Sequence, residues 1–132
     1  MGKLLLAIVV LLAGFAGAIY VASNHGEVVA LTTRDAKGAD FTTPLWVVDE
    51  QGAQYLRAGN RDSSWCDRIR GDAAVTVERG GKTARYQAVF APEMTPQIEK
   101  LMAEKYGWAD QLIGVIRRPG ASVAIRLQPA AS

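Results

Sequence analysis

The sequence is short of the residues on which much catalytic and structural chemistry depends. It has one cysteine, Cys66, which excludes an internal disulfide and a thiolate-held metal cluster. Its one histidine, His25, lies beside the N-terminal apolar segment, which argues against a Ser-His-Asp hydrolase or a histidine metal site in the body of the chain. Charge is missing altogether between Leu4 and Ala22. Beyond that segment, 14 basic residues stand against 13 acidic ones once Lys3 is set aside, a balance without the clustered excess that marks a nucleic-acid partner. No Gly-rich phosphate motif, paired-carboxylate arrangement, internal repeat or low-complexity stretch stands out. A chain of 132 residues has room for one domain. Chemistry in such a domain has to come largely from a bound cofactor.

What is present begins with the apolar run itself. Leu4–Ala22 is 19 residues long and, as a helix rising about 1.5 Å per residue, spans roughly 28 Å, close to the thickness of a bilayer's hydrocarbon core. Two readings fit, an uncleaved membrane anchor and a secretory signal cleaved near Ala16-Gly17-Ala18. Length favours the anchor, since a signal's apolar region is typically only about 7–15 residues. Lys3 before the run, with only His25 and Glu27 soon after it, orients the N-terminus inward and the domain to the extracytoplasmic side. The expected organisation is an anchor and linker over residues 1–24 and a folded domain over 25–132.

The remainder has mostly the period of strands. Glu27–Thr33 is rich in β-branched residues, and Asp35-Ala36-Lys37-Gly38 carries turn chemistry, so a hairpin is expected with a return strand over Ala39–Asp49. Pro44 in that strand cannot donate to a ladder and marks an edge, a bulge or a strand switch. Phe41, Leu45, Trp46, Val47 and Val48 put apolar groups on both faces, as a barrel wall covered by another element requires. Gln54–Ala58 follows the Glu50-Gln51-Gly52 turn. Arg79-Gly80-Gly81-Lys82 joins two alternating strands, and Val123, Ile125 and Leu127 alternate in a last one. The pattern predicts a mainly β fold with short helices, a six-stranded antiparallel barrel or sandwich behind one N-terminal transmembrane helix.

Two helices interrupt the strands. Ser64 with Asp67 has capping-box spacing for a short helix ending near Gly71. Thr95, with Pro96 in the first helical position, opens a second helix that places Ile98, Leu101, Met102 and Tyr106 on one face and stops at Gly107, with a further helical piece over Trp108–Ile116. Between the third strand and the first short helix, Arg57, Gly59, Asn60, Arg61 and Ser64 form a loop with the composition of a phosphate site. The same residues also fit plain capping by Ser64 and pairing of Arg61 with Asp62 or Asp67. Trp46, Trp65, Tyr106 and Trp108 are available to stack on a planar ligand, and equally to fill a core. Cys66 reads as a small buried thiol.

Leu31-Thr32-Thr33, the turn ending at Gly38, Thr43-Pro44-Leu45-Trp46, Tyr55-Leu56-Arg57-Ala58-Gly59-Asn60, Ser64-Trp65, the Val75–Gly81 hairpin and Lys105-Tyr106-Gly107-Trp108 together resemble the flavin- or deazaflavin-binding split β-barrels. Within them, the closest resemblance is to the deazaflavin-dependent nitroreductase/quinone reductase family, relatives of the pyridoxamine-phosphate oxidase fold. The resemblance implies a split barrel, commonly a homodimer, binding FMN or a deazaflavin coenzyme. Carried over position by position, it implies cofactor contacts at Thr42, Thr43, Arg57, Gly59, Asn60, Arg61 and Ser64, and a substrate pocket near Trp65, Tyr106 and Trp108.

Three functions are consistent with the sequence. The first is a membrane-anchored oxidoreductase that reduces a small planar acceptor, quinone-like or nitroaromatic, where tethering to the bilayer through Leu4–Ala22 raises the local concentration of lipid-soluble substrate. The second is a module that binds a cofactor or ligand without turning it over. The third is a protein-interaction module with Arg117-Arg118 on its contact surface.

Overall fold

The computed structural model describes residues 2–23, 26–118 and 120–130. The uncharged run forms helix α1, Gly2–Ser23, with nearly all its described side chains exposed. It is long and apolar enough to cross a membrane. His25 and the expected domain boundary at residues 24/25 lie outside the described residues.

Six strands follow: β1 (Val28–Arg34), β2 (Asp40–Glu50), β3 (Ala53–Ala58), β4 (Ala74–Arg79), β5 (Lys82–Phe90) and β6 (Val123–Pro129). They close into an antiparallel barrel in the order β1-β2-β3-β6-β5-β4, with β4 returning to β1. The expected barrel is thus the observed one. Pro44 explains itself in the register. β2 pairs with β1 over Asp40–Trp46 and with β3 only from Val47 onward, so Pro44 sits in the half of the strand that has a single neighbour. There its missing N–H breaks no second ladder.

Alternation fills the barrel. Val29, Leu31, Val47, Leu56, Val75, Val77, Ile125 and Leu127 form one buried cluster inside the barrel. Helix α2 (Ser64–Gly71) closes this cluster with Trp65, Cys66 and Ile69. The intervening residues of the wall face outward into a second cluster. Trp46, Val48, Tyr55 and Ala124 meet Ile98, Met102 and Tyr106 of helix α3 (Thr95–Tyr106), which lies against β2, β3 and β6. This is the two-sided burial anticipated for β2. A single 3₁₀ turn, Pro92–Met94, leads into α3. Gly107, at φ 54°, ends α3 and lets the chain restart at once as α4 (Trp108–Ile116).

The start of α2 differs from the expectation. Ser63, not Ser64, is the N-cap, and its side chain makes no capping bond. Its hydroxyl instead donates to Cys66 Sγ at 3.2 Å, while Ser64 is the first helical residue and is exposed. Consecutive serines satisfy the same local pattern, and the hydrogen bond to the buried thiol favours the earlier one.

Candidate functional site

The barrel interior is packed with side chains, and the polar loop residues open onto its outside. Two neighbouring clefts lie where the β3–α2 loop meets α3, α4 and the segment before β6. One, of about 600 Å³, is lined by residues including Arg61, Thr95, Glu99, Arg117, Arg118 and Ser122. The other, of about 400 Å³, is lined by Arg57, Gly59, Asn60, Ile113, Ile116, Arg117, Arg118 and Ala121. Arg117 and Arg118 belong to both.

The loop owes its shape to its own polar groups. Asn60 Oδ1 accepts from the Asp62 N–H at 2.9 Å, the Asx-turn geometry that asparagine provides. Arg61 does not pair with Asp62 or Asp67. Its guanidinium donates to the carbonyls of Gly120, Ala121 and Ser122, and its backbone N–H to Ala121 O at 2.9 Å. The arginine therefore latches the loop to the segment entering β6, and Asp67 is paired by Arg70 at 2.9 Å.

Behind the clefts stands an ionic cluster drawn from three elements. Arg57 of β3 is 6% exposed, donating to Asp110 Oδ1 at 2.7 Å and Glu99 Oε2 at 3.3 Å. Arg117 donates to the same Glu99 oxygen at 2.8 Å and lies 3.4 Å from Asp110. The Arg57 guanidinium also lies over the Trp46 ring, 5.9 Å from its centroid. Alternating cations and carboxylates satisfy each other at a depth where an unpaired charge would be costly. Two buried atoms here find no hydrogen-bond partner among the described residues: Trp46 Nε1 and Glu99 Oε1, the latter in a residue that lines the larger cleft. Arg118 is exposed, and no ion pair to it is found among the described residues.

Four of the sequence-predicted cofactor residues, Arg57, Gly59, Asn60 and Arg61, are therefore brought together on these clefts. Thr42, Thr43 and Ser64 are not among the lining residues. Thr42 pairs across the first hairpin with Thr32, hydroxyl to hydroxyl at 3.1 Å. Of the predicted substrate-side aromatics, Trp65 is in the barrel cluster and Tyr106 is buried under α3. Tyr106 stacks on Trp46 at 4.3 Å between centroids, donates its hydroxyl proton to Glu27 O at 2.6 Å and accepts from Val47 N–H at 3.0 Å. Burial pushes its phenol pKa up. Only Trp108 keeps an exposed ring face, at 51%. Sequence reading missed Glu99, which lines the larger cleft, and Asp110, which stands behind the clefts and holds Arg57. Asp110 left one signal, as the sole charge in helix α4.

A second ionic cluster fixes the exit of α1. Glu27, directly before β1, accepts from Arg79 at 2.9 and 3.0 Å and from Lys105 at 2.8 Å, and Arg79 also holds Asp49 at 2.8 Å. The hydrogen bonds from Arg79 and then Lys105 hold the Glu27 carboxyl down at about 2, against an ordinary value of 4.5. Asp49 is lowered by Arg79 in the same way. Next to it Gly26, at φ 74°, lies flat on Tyr106, where a Cβ would stand 3.1 Å from the ring. Cys66 has its thiol pKa raised by burial, partly offset by the bond from Ser63, as suits an inert core thiol.

No protein-family model matches the chain, and no curated protein is similar to it in sequence. Solved structures are similar in fold. The heme storage protein HutZ from Vibrio cholerae superposes with a TM-score of 0.62 at 16% identity, over 86% of this chain and 89% of that one. An F420-H2-dependent reductase, FDR-A, gives 0.61 at 23% identity over 76% and 93%. A pyridoxamine 5′-phosphate oxidase-like protein from Listeria innocua gives 0.61 at 11% identity over 86% and 91%. The fold is therefore the split β-barrel of the pyridoxamine-phosphate oxidase type.

Proposed function

We propose that this chain is a membrane-anchored oxidoreductase that holds FMN or a deazaflavin coenzyme in the clefts outside its barrel and reduces quinone-like or nitroaromatic acceptors. One observation carries the reading. The clefts combine guanidinium groups, apolar Ile113 and Ile116, and a buried carboxylate oxygen that lacks a donor. That set suits the phosphate-bearing, hydroxylated end of such a cofactor. Arg118 and the Asn60 amide nitrogen would meet the anionic group, Gly59 leaves room for close approach, and a ligand hydroxyl would satisfy Glu99 Oε1. Arg57 and Arg117 would shape the site from behind, since their charges are already met by Glu99 and Asp110. The cofactor, when bound, would supply the hydride, and the protein would contribute position and exclusion of water. An F420-H2-dependent reductase among the structural neighbours supports the reading, and a neighbour that is a domain-swapped dimer supports a homodimer.

The second reading, a ligand-binding module without turnover, draws on the burial of Trp46, Trp65 and Tyr106, which leaves few aromatic faces to sandwich a ring. A heme storage protein shares the fold. The full chain in lipid nanodiscs, loaded with reduced FMN or reduced deazaflavin and mixed with menadione or a nitroaromatic dye, separates the two. Oxidation of the cofactor only when protein and acceptor are both present supports the oxidoreductase. Tight binding with no acceptor reduction selects the binding module instead.

A further inference from the structure

A surface helix normally turns a polar face to water. Helix α4 does not. Ala109, Asp110 and Ile113 face inward, with Asp110 committed to Arg57 and Arg117. Outward, at spacings of seven and eight residues from Trp108, come Val115 and Ile116, which share one side of the helix, while Leu112 packs with Ile113 against the core cluster under α3. Trp108 is 51%, Val115 71% and Ile116 57% exposed. The outward stripe carries no charge.

The position of this stripe is fixed by the exit of α1. Ser23 ends α1, and three residues later Gly26 is pressed on Tyr106, followed by Glu27 clamped to Arg79 and Lys105. Three residues of chain reach at most about 11 Å. Tyr106 is two residues before Trp108, so the start of α4 lies close to the point where α1 ends. The two helices are in contact. Ile19 is half-buried, whereas the other described side chains of α1 are exposed. Ile19 precedes the end of the helix by roughly 6 Å of rise, the depth of an interfacial layer rather than of a bilayer centre.

We propose that α4 is a second membrane contact, an interfacial helix whose uncharged stripe of Trp108, Val115 and Ile116 enters the bilayer beside α1. The occupant of the stripe is lipid because α4 is in contact with a membrane-length helix, and Gly26 and Glu27, three and four residues beyond the end of that helix, are held against the domain. A tryptophan at this level matches the preference of its ring for the membrane interface. The helix also brings the cleft that contains Ile113 and Ile116 to the lipid surface, where a lipid-soluble acceptor would enter. The inference rests on the anchor in the proposed function, and its test reads the two separately.

The full chain is reconstituted in phosphatidylcholine vesicles with plain or acyl-brominated chains, and the Trp108 emission is taken as the difference between the wild type and Trp108→Phe. Trp46 and Trp65 are buried in the domain and supply the constant background. Co-flotation of protein with vesicles reports the anchor. The expected result is flotation, loss of most Trp108 emission in brominated vesicles, protection from aqueous iodide, and recovery of emission in Val115→Glu, which still floats. Flotation with Trp108 unquenched by bromine and open to iodide would overturn the inference and leave the anchor standing. Flotation with Trp108 shielded from both would also overturn it, pointing to a second copy of the chain on the stripe. Failure to float would remove the anchor and this inference together.

Discussion

Two clusters of arginine and carboxylate tie distant parts of this chain together, and they differ in depth. In the cleft cluster the side chains of Arg57, Arg117 and Asp110 are at most 12% exposed, and that of Glu99, which lines the cleft, is 34% exposed. In the junction cluster Glu27, Asp49, Arg79 and Lys105 are 26% to 58% exposed. Charges buried together depend on each other, because removing one strands the rest in a poor solvent. Charges at the surface are screened and individually dispensable. The cleft cluster is thus a rigid wall for a ligand site, while the junction cluster positions the end of α1 through many weaker contacts that acid can release.

The largest effect is expected at the deeper cluster. Arg57→Ala leaves Asp110 and Glu99 with Arg117 alone and should destabilise the domain by about 3–5 kcal/mol. Chemical denaturation of the full chain in detergent would measure it, and a loss as small as that of a surface pair would erase the distinction between the clusters. Gly26→Ala comes next. A Cβ there meets the Tyr106 ring at 3.1 Å with φ at 74°, so a loss of about 1–2 kcal/mol is expected, visible as a lower melting temperature.

Glu27→Gln should cost less than about 1 kcal/mol at neutral pH, because the group is more than a third exposed. Its effect on pH dependence is more informative. The folded-state pKa of Glu27 is held below its unfolded value, so its stabilisation is complete above about 4.5 and disappears as pH falls toward about 2. Thermal unfolding across that range should show a wild-type decline that is shallower in Glu27→Gln. Parallel curves would mean that the junction does not respond to acid through this residue. The smallest effect on stability, close to none, is expected for Arg118→Ala, since that side chain has no ion pair among the described residues.

Much of the barrel could be read in the sequence because its information is local. Alternation marked Val123, Ile125 and Leu127 as inward, and two-sided apolar character marked β2 as a covered wall. Pro44 announced a change of neighbour within its own strand. The cleft was legible where it is contiguous, in Arg57, Gly59, Asn60 and Arg61. It was not legible where it depends on tertiary contact, since Glu99 and Asp110 reach Arg57 from 42 and 53 residues away. Aromatic residues divided for the same reason. Trp65 and Tyr106 have the chemistry of ligand contacts, yet only packing shows them committed to the interior, with Trp108 left outside.

The most direct test of the cofactor site is a fluorescence titration of FMN and of a deazaflavin coenzyme into the full chain in nanodiscs, with Arg118→Ala and Arg79→Ala alongside. The cleft reading predicts saturable binding of one of them, weakened roughly tenfold by Arg118→Ala, the loss of a charge-assisted contact, and unchanged by Arg79→Ala. Binding of neither cofactor, or equal binding by wild type and Arg118→Ala, would contradict it.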